Sequence, residues 1–340
     1  MKKISLFLAV ATIFTTAAHA KIWRVNNIAG ITADFTTVQA AHNGAASGDT
    51  IHLEPSNTSY GDLTITKKLY IVSTGQFVPN NPGFQQDIKM GFVGNVVVNN
   101  AAANGSVFSI RYAGVFQILT SAVGNISLIN CASATGWQCS LSTNIGMLYI
   151  QDADNIAITG GWFAGIDIRS DAQNILIANN IIGNRIAVRS GSSATIRNNV
   201  ICAIEAGSCA NMGIANSLVV NNIFNKGMTD FGEGFPNTTF QNNFSANTFL
   251  PAGNGNVNNV DMTTVFVNAA GGFVDNVYQL KAASPALSAG LNGENLGAFG
   301  GSNPFRLAVV PPIPSIYKLI VPTTPSGNSM NITFSTRSNN

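Results

Sequence analysis

Four stretches of this chain repeat one pattern: an apolar run, the pair Asn-Asn, and a second apolar run. They are centred on Asn179-Asn180, Asn198-Asn199, Asn221-Asn222 and Asn242-Asn243, and the first asparagines are 19, 23 and 21 residues apart. Upstream, Ile156–Phe163 carries Gly160-Gly161 in the same place, 19 residues before Asn179. Gly for Asn is the exchange expected where the backbone needs a positive φ. A second strand repeats as well, since Gly165–Ser170 aligns with Arg185–Ser190 twenty residues later. The apolar runs are three to five residues long, have no 3.6-residue period and end in Gly, Asn, Ser and Asp, so they read as strands. A unit of about 20 residues cannot bury its own apolar face, so successive units must stack strand on strand, in parallel. Equivalent asparagines then recur roughly every 4.8 Å and their side chains can form a ladder. The expected fold is all-β, a right-handed single-stranded parallel β-helix. Leucine-rich repeats are the rival solenoid, but they need a helix in each unit and none is visible.

Composition agrees with a repetitive, turn-rich β protein. Only 9% of residues are charged, against roughly 25% in ordinary domains, and 42 asparagines take over the polar role. The hydrophobic fraction of 46% argues against disorder.

Residues 1–20 read as a signal peptide. Lys2 and Lys3 precede an apolar stretch to Ala18, and Ala18-His19-Ala20 offers a small-x-small cleavage site. The expected location is therefore secreted, extracellular or at the cell surface, with the periplasm as an alternative, and the mature chain should carry no transmembrane segment. Without the leader, bases and acids balance at 15 each, which argues against a nucleic-acid partner. The partner class that fits is a polysaccharide or cell-surface glycan. In an oxidising compartment the two close cysteine pairs are expected to form the disulfides Cys131–Cys139 and Cys202–Cys209, each bridging an excursion from the repeat. A zinc site is the weaker alternative, because no histidine lies nearby.

Residues 21–308 form the β-helix domain, with an N-terminal cap at 34–50 that covers the open strand edges. Residues 36–46 should be helical, placing Val38, Ala41 and Ala45 on one face. Residues 309–340 are a Pro-rich connector followed by a β-hairpin, with strands near 315–321 and 329–335. That tail either docks on the domain or contacts a partner.

Phe35–Ala41, Gly48–Ile51, Pro55, Tyr60-Gly61 and Leu63–Val72 resemble the opening of the pectin-lyase-like superfamily, as found in secreted proteins of Bacteroidetes-like bacteria. Tyr278–Lys281, Ser284–Ala286, Gly290 and Leu296–Phe299 resemble its closing coil. The resemblance covers about residues 22–305 and implies a ligand lying along an exposed parallel sheet. It also implies a basic residue with acid-bound calcium in lyase members, or clustered aspartates in hydrolase members. The Asn-x-Asp, Gly-Asp-Asp, Gly-His-Gly and Arg-x-Pro-x-x-Arg motifs of those enzymes are missing here.

The candidate substrate-binding patch is therefore Asp167, Arg169, Asp171, Arg185 and Arg189. Arg169 and Arg189 should lie on adjacent strands, with Asp167 on the face of Arg169. Stacked guanidiniums could grip a uronate carboxylate; Arg169, Arg189 and Asp167 are the candidates if the protein is catalytic. The competing reading is that these charges pair with one another on an exposed sheet. Asp152, Asp154 and Asp171 are the candidate metal ligands, relevant to calcium if the protein is a lyase; otherwise no cofactor is expected. Trp137, in the first cysteine loop, is a candidate for stacking on a sugar. Trp162 reads as core, and His42 and His52 as structural. Three functions stay open: glycan binding, a polysaccharide lyase or glycoside hydrolase with atypical residues, and a structural or adhesive surface protein.

Overall fold

The computed structural model describes residues 20–81, 83–84, 87–133, 146–202, 213–225, 234–269, 274–310, 314–325 and 327–338. The stretch expected to be a signal peptide thus lies outside the described residues, except for Ala20. The protein is mostly β and is built on two long sheets in which every strand pairing is parallel. One sheet joins ten strands, from Ile22–Val25 through Thr50–Leu53, Tyr70–Val72, Val107–Ser109, Ser127–Ile129, Ala157–Thr159, Ile175–Ala178, Ala194–Arg197 and Leu218–Val220 to Thr239–Gln241. The other runs from Leu63–Ile65 through Val96–Val98, Phe116–Leu119, Met147–Gln151, Trp162–Arg169 and Ile181–Val188 to Phe244–Ser245. From Leu63 onward the chain passes back and forth between the two, adding a strand to each in turn.

Register stacks like on like. Ile51, Ile71, Phe108, Leu128, Ile158, Ile177, Ile196, Val219 and Phe240 lie in one row across the first sheet. Ile65, Val98, Ile118, Ile150, Ile168 and Val188 form a row across the second. All are buried in one cluster between the sheets. Each fully buried side chain contributes about 1.5–3 kcal/mol, so the repeat is held by long rows of such contacts.

The asparagine pairs divide their labour. The first member adopts left-handed backbone, with φ of 56° at Asn179, 52° at Asn198, 58° at Asn221 and 50° at Asn242, and Gly160 takes the equivalent place at 65°. In each, the main-chain N–H reaches the neighbouring repeat: Asn179 to Arg197 O, Asn198 to Val220 O and Asn221 to Gln241 O. The column expected from the spacing is thus formed. The second member builds the ladder. Asn180 donates through its main chain and its side chain to Asn199 Oδ1, Asn199 does the same to Asn222, Asn222 to Asn243, and Asn243 to Asn256. Gly161 N–H closes the near end on Asn180 Oδ1. Asn256 extends the ladder beyond the pairs that the repeat pattern picked out.

The segment resembling a closing coil does not sit across the end of the sheets. It runs back along the corner, against the order of the repeats. Asn242 donates to Ala289 O, Asn221 to Glu294, Asn198 to Asn295 O, Asn179 to Ala298 O and Gly300 O, and Asn130 to Val310 O. Beneath this strap lies an outward column formed by Trp162, Ile181, Val200, Ile223 and Phe244. These residues form a second apolar cluster with Leu296, Ala298, Phe305 and Val309. Trp162 is buried, as expected, with Phe77 at 4.8 Å and Tyr278 at 6.1 Å between ring centroids.

The N-terminal helix is shorter than expected, spanning Val38–Gly44. Thr37 is extended and accepts the Ala40 N–H, and Ala45 is extended again. Val38, Ala41 and Ala45 all join the core. Gly44 lies against Phe35, where a Cβ would come within 2.6 Å of the ring. His42 is buried and accepts the Thr66 N–H, so it ties the helix to the second sheet's first strand.

Cys139 and Cys209 lie outside the described residues, and among the described residues there is no disulfide. The expected bridges Cys131–Cys139 and Cys202–Cys209 therefore each involve a residue outside the described ones. Cys131 itself lies in the core, with its sulfur against Phe108 O. The tail forms the expected antiparallel hairpin, Ser315–Ile320 with Thr333–Arg337. Among the described residues, no helix is long and apolar enough to cross a membrane.

Candidate functional site

Three neighbouring strands of the second sheet, Met147–Gln151, Trp162–Arg169 and Ile181–Val188, carry the predicted charged patch. Ile166 and Ile168 face the core, so alternation turns Asp167 outward. Its register neighbours are Tyr149 on one side and Ala187 on the other. Gly165 stands beside Arg185, and Gln151 beside Arg169. Arg189 follows Val188 and its N–H bonds to Ile168 O, placing Arg169 and Arg189 on adjacent strands, as the spacing predicts.

Asp167 faces outward but is fully buried. Arg169 donates to its Oδ2 from Nε and Nη2, both at 3.0 Å, and Arg185 Nη2 meets the same oxygen at 3.0 Å. Arg189 reaches Oδ1 from Nε at 3.4 Å. Burying a lone carboxylate is prohibitive unless cations and hydrogen bonds surround it; here three guanidiniums do so. Arg185 is largely enclosed, whereas the side chains of Arg169 and Arg189 remain 40% and 45% exposed. Arg169 also stacks over the Tyr149 ring, 4.2 Å from its centroid. Burial raises the Tyr149 hydroxyl above its ordinary value. The Arg169 guanidinium opposes that shift without making a well-formed hydrogen bond to the hydroxyl.

The arrangement brings together four of the six predicted substrate-binding residues. The oxygens of Asp167 are enclosed and engaged, and the side chains that face solvent here are those of Arg169 and Arg189. Asp171 stands apart in the next turn. With Asp152, Asp154, Gln151, Thr120 and Ser121 it lines an open groove of about 500 Å³. The three acids do not converge as metal ligands. Asp154 accepts the Gln173 N–H at 2.7 Å, and among the described residues no group of three or more His, Cys, Asp or Glu side chains is disposed to hold a metal ion. Trp137 lies outside the described residues.

The sequence reading missed Tyr149. Its signal was available, because it precedes Gln151 by two and shares the outward face of that strand. It also missed Asp275, which is buried, accepts from Asn81 Nδ2 and the Ala308 N–H, and is raised to about 6 by burial. No spacing in the sequence links residues 81, 275 and 308. No protein-family model, curated protein or solved structure matches the chain.

Proposed function

We propose that this protein is an exported right-handed parallel β-helix of the pectin-lyase-like kind that binds extracellular polysaccharide, and that binding rather than turnover is its activity. The stacked asparagine corners and the two all-parallel sheets support the solenoid reading. The observation that carries the functional reading is the cluster at Asp167. A buried carboxylate fixes three guanidiniums, two of which keep exposed edges, and Arg169 stands in register beside Gln151, which lines a groove with Asp152, Asp154, Thr120 and Ser121. Held this way, Arg169 and Arg189 can receive a carboxylate or hydroxyl oxygen with little further loss of side-chain freedom. Asp167 serves as a positioning residue. Its enclosure withholds the cluster's carboxylate from the aspartate chemistry of hydrolase members.

Affinity electrophoresis of the mature chain through gels containing neutral or uronate-rich polysaccharides tests this reading. Retardation on at least one polysaccharide is expected, persisting in the presence of a chelator and weakened by Arg169→Ala and Arg189→Ala. Unretarded migration through every gel overturns it. Release of unsaturated or reducing sugar by the unmodified chain would replace binding with catalysis.

A further inference from the structure

The hairpin Ser315–Ile320 with Thr333–Arg337 is a two-stranded sheet with no third strand among the described residues. A hairpin of this size is marginal in water by itself. It meets the body of the protein near its open end. There, Ser315 donates to Phe84 O at 2.8 Å, and Arg337 donates to Gly83 O while stacking 4.5 Å above the Phe84 ring. Toward the other end the described side chains are exposed and apolar. Ile320 and Val321 are each 51% exposed, Ile332 54% and Phe334 64%, with Met330 also exposed. Leu319 lies opposite Phe334 on one face, whereas Ile320 is on the other, so apolar side chains stand on both faces.

Residues 309–340 carry Lys318 and Arg337 and no acid, so the rest of the mature chain is left with two more acids than bases. An apolar tip with a purely cationic flank, on a body of opposite sign, has one fitting environment. We propose that the hairpin inserts its tip into the interfacial region of an anionic lipid surface, with Lys318 at the headgroups and the body held away from it. A protein groove would cover one face and leave the other wet. A lipid interface receives both, at a depth where the strand edges still meet water. Pairing with a second copy would bring two cationic hairpins together, which Lys318 opposes. This contact is independent of the glycan site, which lies on a different segment.

Flotation of the full chain with liposomes tests the proposal. Vesicles containing phosphatidylglycerol should carry the protein, and vesicles of phosphatidylcholine alone roughly fivefold less, given the attraction of Lys318 to anionic lipid at about 1 kcal/mol. The doubly substituted Ile332→Ser/Phe334→Ser chain should stay at the bottom, while its circular dichroism and unfolding transition match those of the parent. Absence of flotation with phosphatidylglycerol overturns the proposal, as does undiminished flotation of the double variant. A concentration-dependent dimer in light scattering that this variant abolishes, without flotation of the parent, would assign the hairpin to self-association instead.

Discussion

Asn199 donates to Asn222 Oδ1 from its main chain and from its side chain, both at 2.9 Å, and its second side-chain hydrogen reaches back to Ile177 O and Arg197 O. One amide thereby satisfies backbone groups of two neighbouring repeats in a place that water cannot enter. A shorter or charged side chain cannot reproduce that pattern.

Asn199→Ala should therefore be among the costliest single changes in the protein. It removes the Oδ1 acceptor of the Asn180 main-chain and side-chain N–H groups and the donor to the Ile177 and Arg197 carbonyls, and each buried group left unpaired costs about 1–3 kcal/mol. A fall in Tm of about 5–10 °C is expected for a domain of this size, and Asn222→Asp should be worse, because its carboxylate would face Ile196 O and Val220 O. Scanning calorimetry decides; a shift below about 2 °C would show that the ladder is incidental.

The first asparagines make a different prediction, because their conformation and their tether are separable. Asn179→Gly keeps the left-handed backbone but loses the donation to Ala298 O and Gly300 O. Asn179→Ala loses both, and the left-handed residue alone costs about 1–2 kcal/mol. Hydrogen exchange should show faster opening of residues 296–300 in both variants, whereas global stability should drop further in the alanine variant. Equal stability of the two variants would refute the conformational role.

At Asp167 the asymmetry lies between removing the carboxylate and removing one arginine. Asp167→Asn leaves three guanidiniums crowded together without a counter-charge, which should destabilise by about 3–5 kcal/mol. Arg189→Ala removes the longest and most exposed contact and should cost under about 1 kcal/mol. Urea unfolding of both variants measures the difference. Comparable losses would mean that Asp167 does not organise the cluster.

Asp275 supplies a pH dependence with a definite sign. Its carboxyl is raised from an ordinary 3.8 to about 6 because burial disfavours the charge. A raised carboxyl binds its proton more tightly in the folded state, so its contribution is full below about 4 and is lost as pH climbs through about 6. Two pKa units correspond to roughly 3 kcal/mol. Asp275→Asn removes the titrating group but keeps one oxygen where Asn81 and Ala308 use two, so it should flatten stability between pH 4 and 6 and lower the level of the plateau. An unchanged slope across that window would show that Asp275 does not titrate there.

Much of this architecture was legible because it is periodic. The spacing of Asn179, Asn198, Asn221 and Asn242 gave the parallel stacking, and the offset of Arg169 and Arg189 placed them on adjacent strands. What the sequence hid is aperiodic. The strap docks on the corner through main-chain oxygens at Ala289, Asn295, Ala298, Gly300 and Val310, and any residue type carries a carbonyl. Asp167 reads as a surface charge from alternation alone, since outward-facing and exposed are the same thing on an uncovered sheet. Its burial follows from three long side chains folding over it, a many-body effect that no pair spacing encodes. A second corner of left-handed asparagines, at 125, 155, 174, 216 and 237, also escaped notice, because its members are single rather than paired.

The strap's reversed course limits how such a chain can change in length. Duplicating one repeat in the array would insert a new left-handed asparagine and a new bare apolar residue beside it. The returning segment would then be too short by one step, and every later tether would slip out of phase. Growth or shrinkage therefore requires two compensating changes far apart in the gene, so the number of repeats is locked by a ruler carried at the opposite end of the same polypeptide.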